Sequence, residues 1–376
     1  MAEILNLEKL AEKYEYFIKP LYQIIINDTE LEEEFLNQEM RAEITAGFEA
    51  SSLQFKVWNA FEKQPEQEAL CCKKKISSLL KLGNIVTAKV GYLGKADTCI
   101  FKGYIDGIYL DYEKNGEIVY TIECLDAKGI MMNSFHSEVK KSIKKYSLAA
   151  EDVLKKYTML LNLNSSMFYK GDKEVLVPIE QHNESDYHFV VRMAKQIGCD
   201  FYIIAGEVFF QPLQKRNQNT AIQYHIRSYL DNFTIYASMK NRVNHIVVRS
   251  NNEKIPDKAF QAKATSYEKT AQSGTVSASS LSNVLTERVA KVITDVTVTS
   301  NEEAKQKAEV QMNIMAKDVV TGSVQTPGIP ELQPGKVCSL EGFGQPFDKK
   351  YYITKVIHTI KKGNFKTICE IEVNQF

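Results

Sequence analysis

Leu80-Lys81-Leu82-Gly83-Asn84-Ile85-Val86 and Leu332-Gln333-Pro334-Gly335-Lys336-Val337-Cys338 follow one plan, and their agreement decides the fold. In each, a leucine stands three positions before a glycine and the glycine opens an apolar run. A turn residue followed by such a run reads as the start of a β-strand. The first copy continues with a turn at Gly91-Tyr92-Leu93-Gly94 and a long strand over Ile100–Tyr112. The tight-turn triplet Lys114-Asn115-Gly116 and a return strand over Ile118–Leu125 complete it. The second copy runs through Tyr352-Ile353-Thr354-Lys355-Val356, which matches Tyr104-Ile105-Asp106-Gly107-Ile108. Lys362-Gly363-Asn364 then falls where Lys114-Asn115-Gly116 falls, and Phe365–Val373 returns. A solenoid would show many copies at short period. Two copies far apart predict two related antiparallel β-barrels in one chain. Gly103 and Gly107, on either side of Ile105, predict a close backbone approach or a bend.

Between the copies, residues 184–212 read as a capped helix running into a hairpin. Ser185 is placed to accept from the free N–H groups of the first turn, and Asp186 suits the positive helix end. Phe189, Met193 and Ile197 recur at i, i+4 and i+8 with Val190 and Ala194 beside them, one apolar stripe. Gly198 supplies the left-handed stop. Phe201–Ala205 and Val208–Gln211 then flank Gly206-Glu207, a two-residue hairpin turn of the Gly-X kind.

The predicted fold class is β-rich α+β: two related β-barrel domains with an intervening α/β domain. Residues 1–20 are an N-terminal helical extension, with a short amphipathic helix over 3–16 that must dock its stripe. Residues 21–134 form the first barrel, 135–222 the middle domain and 223–376 the second barrel. In the middle domain Ser147 is expected to cap a helix to about Leu161. Ser266–Asn283, rich in Ser, Thr, Ala and Gly, reads as a flexible insertion in the second barrel. Ser300-Asn301-Glu302-Glu303 is a capping box opening a helix to about Lys317.

With 376 residues the chain has room for two to four domains, and 44% hydrophobic residues supply an ordinary core. Lys+Arg and Asp+Glu balance at 47 each, which argues against bulk nucleic-acid binding through phosphate neutralisation. No apolar run approaches the roughly 18 residues of a membrane span. Met1–Tyr14, laced with charge, reads as no signal peptide, so synthesis in the cytoplasm is expected. Seven cysteines, odd in number and without a C-x-x-C, read as buried free thiols.

Metal and catalytic motifs are weak. His182, Glu184, Asp186 and His188 alternate along the chain, but on a helix beginning at Asp186 they diverge, whereas zinc needs converging ligands. His225, His245 and His358 stand alone on strands and read as packed or surface histidines. No Gly-x-Ser-x-Gly, His-Glu-x-x-His, phosphate loop or dinucleotide fingerprint occurs. Lys73-Lys74-Lys75 and Lys140-Lys141 lack the flanking aromatics of a stacking platform. The expectation is no catalytic, cofactor-binding or metal residue, no cofactor, and no enzyme.

Glu184-Ser185-Asp186, an aromatic residue, a helix ending in glycine and an aromatic strand resemble a family signature. It is that of phage late control gene D proteins and the VgrG proteins of type VI secretion, central hubs of contractile injection machines. Gly83–Val86, Phe101–Ile105 and Glu123–Asp126 resemble the first tube barrel of these hubs. Val243–Arg249, with Ile255 and the Ala-Lys-Ala stretch, resembles the start of the second. Glu302-Glu303-Ala304, Gly328–Pro330 and Leu332–Gly335 resemble its closing half, and Tyr351–His358 its closing strand, where a histidine is common. The resemblance covers most of residues 20–376, and its order and spacing carry it.

The resemblance implies a homotrimer whose two barrels per subunit make a pseudo-six-fold ring. Such a ring joins a hexameric inner tube or tube-initiator protein to a trimeric spike, amid baseplate wedge proteins. No OB-fold or β-helical needle follows the second barrel within the chain, so a separate spike protein is expected. The working location is then the assembled phage tail, tailocin or related particle. The alternatives are a VgrG-like hub of a type VI-type system and a tail-associated cell-wall hydrolase. A carbohydrate-binding module would leave the duplication unexplained.

Overall fold

The computed structural model describes residues 5–63, 70–112, 117–164, 167–175, 178–212, 220–225, 230–238, 243, 245–251, 259–264, 290–295, 298, 300–317 and 319–374. The chain opens with β1 (Leu5–Asn6), α1 (Leu7–Lys13), β2 (Pro20–Ile26), β3 (Thr29–Glu30), β4 (Leu36–Thr45) and β5 (Ser52–Val57). Next come β6 (Phe61–Lys63), β7 (Leu70–Cys72), α2 (Lys74–Leu79), β8 (Ile85–Tyr92), β9 (Lys95–Tyr112) and β10 (Ile118–Leu125). The middle carries α3 (Ala127–Asn133), β11 (Phe135–Val139), α4 (Tyr146–Leu154), β12 (Glu180–Ser185), α5 (Asp186–Gln196), β13 (Cys199–Ile204) and β14 (Glu207–Pro212). Then follow β15 (Thr220–His225), β16 (Asn232–Ala237), β17 (His245–Asn251), β18 (Ala259–Ala264) and β19 (Ala290–Thr294). The last elements are α6 (Asn301–Ala316), β20 (Val320–Pro327), β21 (Val337–Glu341), β22 (Lys350–Lys361) and β23 (Asn364–Val373).

The protein is β-rich and built on a large, mainly antiparallel sheet of 14 strands. Within one chain the described strands form no closed barrel of the kind expected, because β4 of the first copy pairs with β22 of the second and runs both copies into one sheet. Its path runs β1-β15-β21-β22-β4-β5-β10-β9-β8-β2-β3, with β23, β20 and β16 carried from the other edge of β22. Strict alternation explains the strands: along β23, Phe365, Thr367, Cys369, Ile371 and Val373 are buried while their neighbours reach the surface. Buried side chains divide into one cluster running through both sequence copies and another in the middle of the chain.

The two copies share backbone conformation and hydrogen-bond pattern at their turning points. Gly83 and Gly335 both hold left-handed backbones, φ +84° and +85°, a region glycine enters without steric cost. The Gly83 N–H donates to the Ile105 carbonyl at 2.8 Å, and the Ile105 N–H returns to Asn84 at 2.9 Å. The Gly335 N–H donates to Ile353 at 2.9 Å, and the Ile353 N–H returns to Lys336 at 2.9 Å. Just past each isoleucine the strand bulges, at Asp106 opposite Cys124/Glu123 and at Thr354 opposite Ile371/Glu370. The pairing order β8-β9-β10-β5-β4 is repeated as β21-β22-β23-β20-β16. The flanking strand differs, since β2 lies antiparallel to β8 whereas β15 lies parallel to β21.

Several local expectations change. The N-terminal helix covers Leu7–Lys13 rather than 3–16, because β1 pairs in parallel with β15 first. Its stripe docks on the protein's own body: Leu7, Leu10 and Ala11 are buried, and Tyr14 donates to Glu331 at 2.5 Å. The hairpin turn sits at Ala205-Gly206, both with positive φ, one residue before Gly206-Glu207. Cross-strand aromatic pairing sets that register, with Tyr202 stacked on Phe209 at 4.9 Å. Ser147 does not cap α4 but lies inside its first turn. Asp172, distant in sequence, accepts from the Ser147 N–H at 3.1 Å and from its hydroxyl. The helix ends at Leu154, followed by a single 3₁₀ turn. Gly103 is the close approach, where a Cβ would lie 2.1 Å from the Leu125 carbonyl oxygen, while Gly107 has ordinary contacts beside the bulge. The expected insertion at Ser266–Asn283 and the turn at Lys114–Gly116 lie outside the described residues. Ser300 accepts from the Glu303 N–H at 3.1 Å, and α6 follows as the capping box predicts.

Candidate assembly surface

The acidic and histidine residues around α5 serve the fold in separate places. Ser185 caps the helix, accepting from the His188 N–H at 3.2 Å, and its hydroxyl meets the His188 ring at 2.7 Å. Asp186 is fully buried and accepts from Tyr157 Oη at 2.7 Å and Gln181 Nε2 at 2.8 Å, with His136 and Lys156 beyond. Glu184 faces away to pair with Arg192, and His182 is exposed on β12. Among the described residues no group of three or more His, Cys, Asp or Glu side chains converges as metal ligands. His225 is exposed and His245 half-buried at strand ends. His358 is buried at the Thr367 hydroxyl, 2.9 Å away, and burial pushes its imidazole down to about 4. Of the seven cysteines, Cys124, Cys199, Cys338 and Cys369 are buried and Cys72 and Cys99 half-buried. Cys71 is exposed, against expectation, because β7 lies in a small two-stranded ribbon with β6.

Sequence reasoning missed a buried ion pair beside the β4–β5 hairpin. Asp126 caps α3, accepting from the Lys128 N–H at 3.0 Å, and also accepts from the Ser51 N–H at 3.0 Å. Lys128, fully buried, donates to the Thr45 carbonyl at 3.2 Å and lies 3.6 Å from the Asp126 carboxylate. Burial pulls both groups toward neutrality, raising the Asp126 carboxyl and lowering the Lys128 ammonium. This polar knot ties the hairpin to the middle of the chain. The same hairpin tip is gripped by α5: Tyr187 Oη donates to the Phe48 carbonyl at 2.6 Å, and Lys195 Nζ sits 4.4 Å over the Phe48 ring. A groove of about 370 Å³ lined by Phe48, Val191, Phe201, Lys317 and Glu372 runs alongside.

The most informative surface is the joint between the two copies. β4 of the first pairs antiparallel with β22 of the second over seven positions, Thr45↔Lys355 through Glu39↔Lys361. Met40, Ala42 and Ile44 bury one face with Val356, His358 and Ile360. On the other face Lys355 meets Glu43 at 2.7 Å and Lys361 meets Glu39 at 3.6 Å. The Lys355 ammonium holds the Glu43 carboxyl below its usual range, and Lys56 does the same for Glu39. Edge strands need partners or protection, and here one copy completes the other.

A family model described as the Alg8 N-terminal domain matches residues 72–362. The chain belongs to that family. No curated protein matches it. Among solved structures, the prophage MuSo2 43 kDa tail protein from Shewanella oneidensis matches with TM-score 0.68 and 12% identity, over 94% of this chain and 98% of that one. The tail protein from Neisseria meningitidis MC58 matches with TM-score 0.67 and 10% identity, over 94% and 96%. The E. coli c3393 protein is described as a type VI secretion component similar in structure to T4 bacteriophage tail proteins gp27 and gp5. It matches with TM-score 0.52 and 11% identity, over 94% and 76%. At these identities the likeness is one of fold, and it extends along nearly the whole chain.

Proposed function

We propose that this protein is a structural baseplate hub of a contractile injection particle, akin to late control gene D and VgrG hubs. Three copies form a ring in which two related barrels per copy, residues 21–134 and 223–376, alternate to give approximate six-fold symmetry. The ring joins a hexameric inner tube to a separate trimeric spike, with wedge proteins outside. Residues 135–222 brace the two barrels from one side, and the N-terminal extension packs on them. The role is mechanical rather than enzymatic, and the working protein resides in the assembled particle.

The duplication carries this reading. The repeated glycine, isoleucine and bulge geometry, joined by β4–β22, gives one chain two nearly equivalent sheet units. A trimer of duplicated subunits presents three-fold and near six-fold faces at once, which is what a joint between a trimer and a hexamer requires. The fold shared with two tail proteins supports it. Cryo-electron microscopy of the assembled particle tests it by counting copies. Three per particle end is expected; one or six would overturn the reading.

A further inference from the structure

The joint inside the chain has a counterpart that the described strands of the monomer leave open. One edge of β22 is shared by two strands, β21 against Lys350–Tyr352 and, past the bulge at Thr354, β4 against Lys355–Lys361. The matching edge of β9 is taken by β8 as far as Tyr104. Past its own bulge at Asp106, Gly107–Tyr112 pair only with β10 among the described strands. The other half of the joint is open too. β4 hangs from β5, and its counterpart β16 hangs from β20 and pairs with no other described strand. Among the described residues each chain therefore presents an unpaired edge on β9 and a strand, β16, of the kind that fills it.

We propose that β16 of one copy pairs antiparallel with Gly107–Tyr112 of β9 in a second copy, repeating between chains the β4–β22 joint made within one. This deepens the hub reading, resting on it for the number of copies but not for the contact. The register follows from the duplication. Ile105↔Cys124 corresponds to Ile353↔Ile371, which sets Leu53 equivalent to Gly322 and hence Ala42 to Ile235. Carrying over His358↔Ala42 then puts Leu110 opposite Ile235, Tyr109 opposite Tyr236, and Tyr112 opposite Phe233.

The side chains suit this contact. Tyr109, Leu110, Tyr112 and Tyr236 are 55%, 56%, 73% and 64% exposed, four of the large apolar groups that the described part of the chain leaves in water. All four fall on the two edges that the register brings together. Where the internal joint uses Lys355–Glu43 on its outer face, the external one sets Tyr109 against Tyr236, an aromatic cross-strand pair. A second copy is the occupant because the chain already contains the contact in its internal form.

Disulfide trapping tests this. Opposite residues of an antiparallel pair have Cα atoms about 4.5–5.5 Å apart, within the span a disulfide bridges. Tyr109→Cys/Tyr236→Cys is made in a Cys71→Ser background, and mild oxidation is applied to the full chain, both concentrated and within assembled particles. Covalent dimers and trimers that revert on reduction are expected, with neither single variant forming them. Circular dichroism verifies that the exposed substitutions leave the fold intact. Monomer alone in both preparations overturns the contact, whatever the copy number. A crosslinked ladder extending past three leaves the contact standing and overturns the trimeric ring.

Discussion

His358 makes the stability of this protein depend on pH in a calculable way. Its ring is fully buried, and burial lowers its pKa from 6.5 to about 4, with the Leu332 backbone and the Glu331 carboxylate pulling weakly the other way. Between those values the unfolded chain binds a proton that the folded chain refuses, so stability is complete above about pH 6.5 and declines as pH falls toward 4. The full shift corresponds to about 3 kcal/mol, of which about 2 kcal/mol is lost between roughly pH 7.5 and pH 5. His358→Gln removes the titration while leaving an amide to meet Thr367. Urea denaturation of both proteins across this range isolates the contribution, because the other titrating groups are common to both. The wild type should lose about 2 kcal/mol more than the variant on acidification. Parallel pH curves, or a variant that loses more, would refute the reasoning.

Gly83→Ala and Gly335→Ala test the repeated turn in different surroundings. Both strain a positive φ, costing about 1 kcal/mol, but only at Gly335 would the new Cβ meet a neighbour, 2.4 Å from Tyr202 Oη. Gly335→Ala should therefore be clearly the more destabilising in thermal melts. Phe189→Ala empties a fully buried site on α5 and should cost about 3–5 kcal/mol by denaturant titration, and a loss under 1 kcal/mol would contradict its core placement. Lys128→Met leaves Asp126 buried without its cation and should cost about 3–5 kcal/mol at neutral pH. The deficit should shrink on acidification as Asp126 takes up a proton, which a measured pH series would show or deny.

The duplication behind the candidate assembly surface was legible in outline. The Leu-x-x-Gly starts and the Tyr-Ile pairs announce the duplication because each controls its own few residues of backbone. The separate placements of Asp186 and His188 were legible from helix geometry, which turns their side chains to different faces. The buried Lys128 was not legible: a lysine one turn into a helix looks like surface until Thr45 and Asp126 close over it.

What the sequence by itself determined is therefore local and periodic: the strands, the Ser185 and Ser300 caps, the glycine turns and the existence of two copies. Tertiary structure alone decided which edges meet, namely β4 with β22, β1 with β15 in parallel, and Asp172 with the start of α4. The physical reason is that every strand edge offers the same row of N–H and C=O groups. Alternation tells a strand which face to bury, but it does not name the partner. That choice depends on bulges, hairpin lengths and the packing of segments hundreds of residues apart, which exist only once the chain has folded.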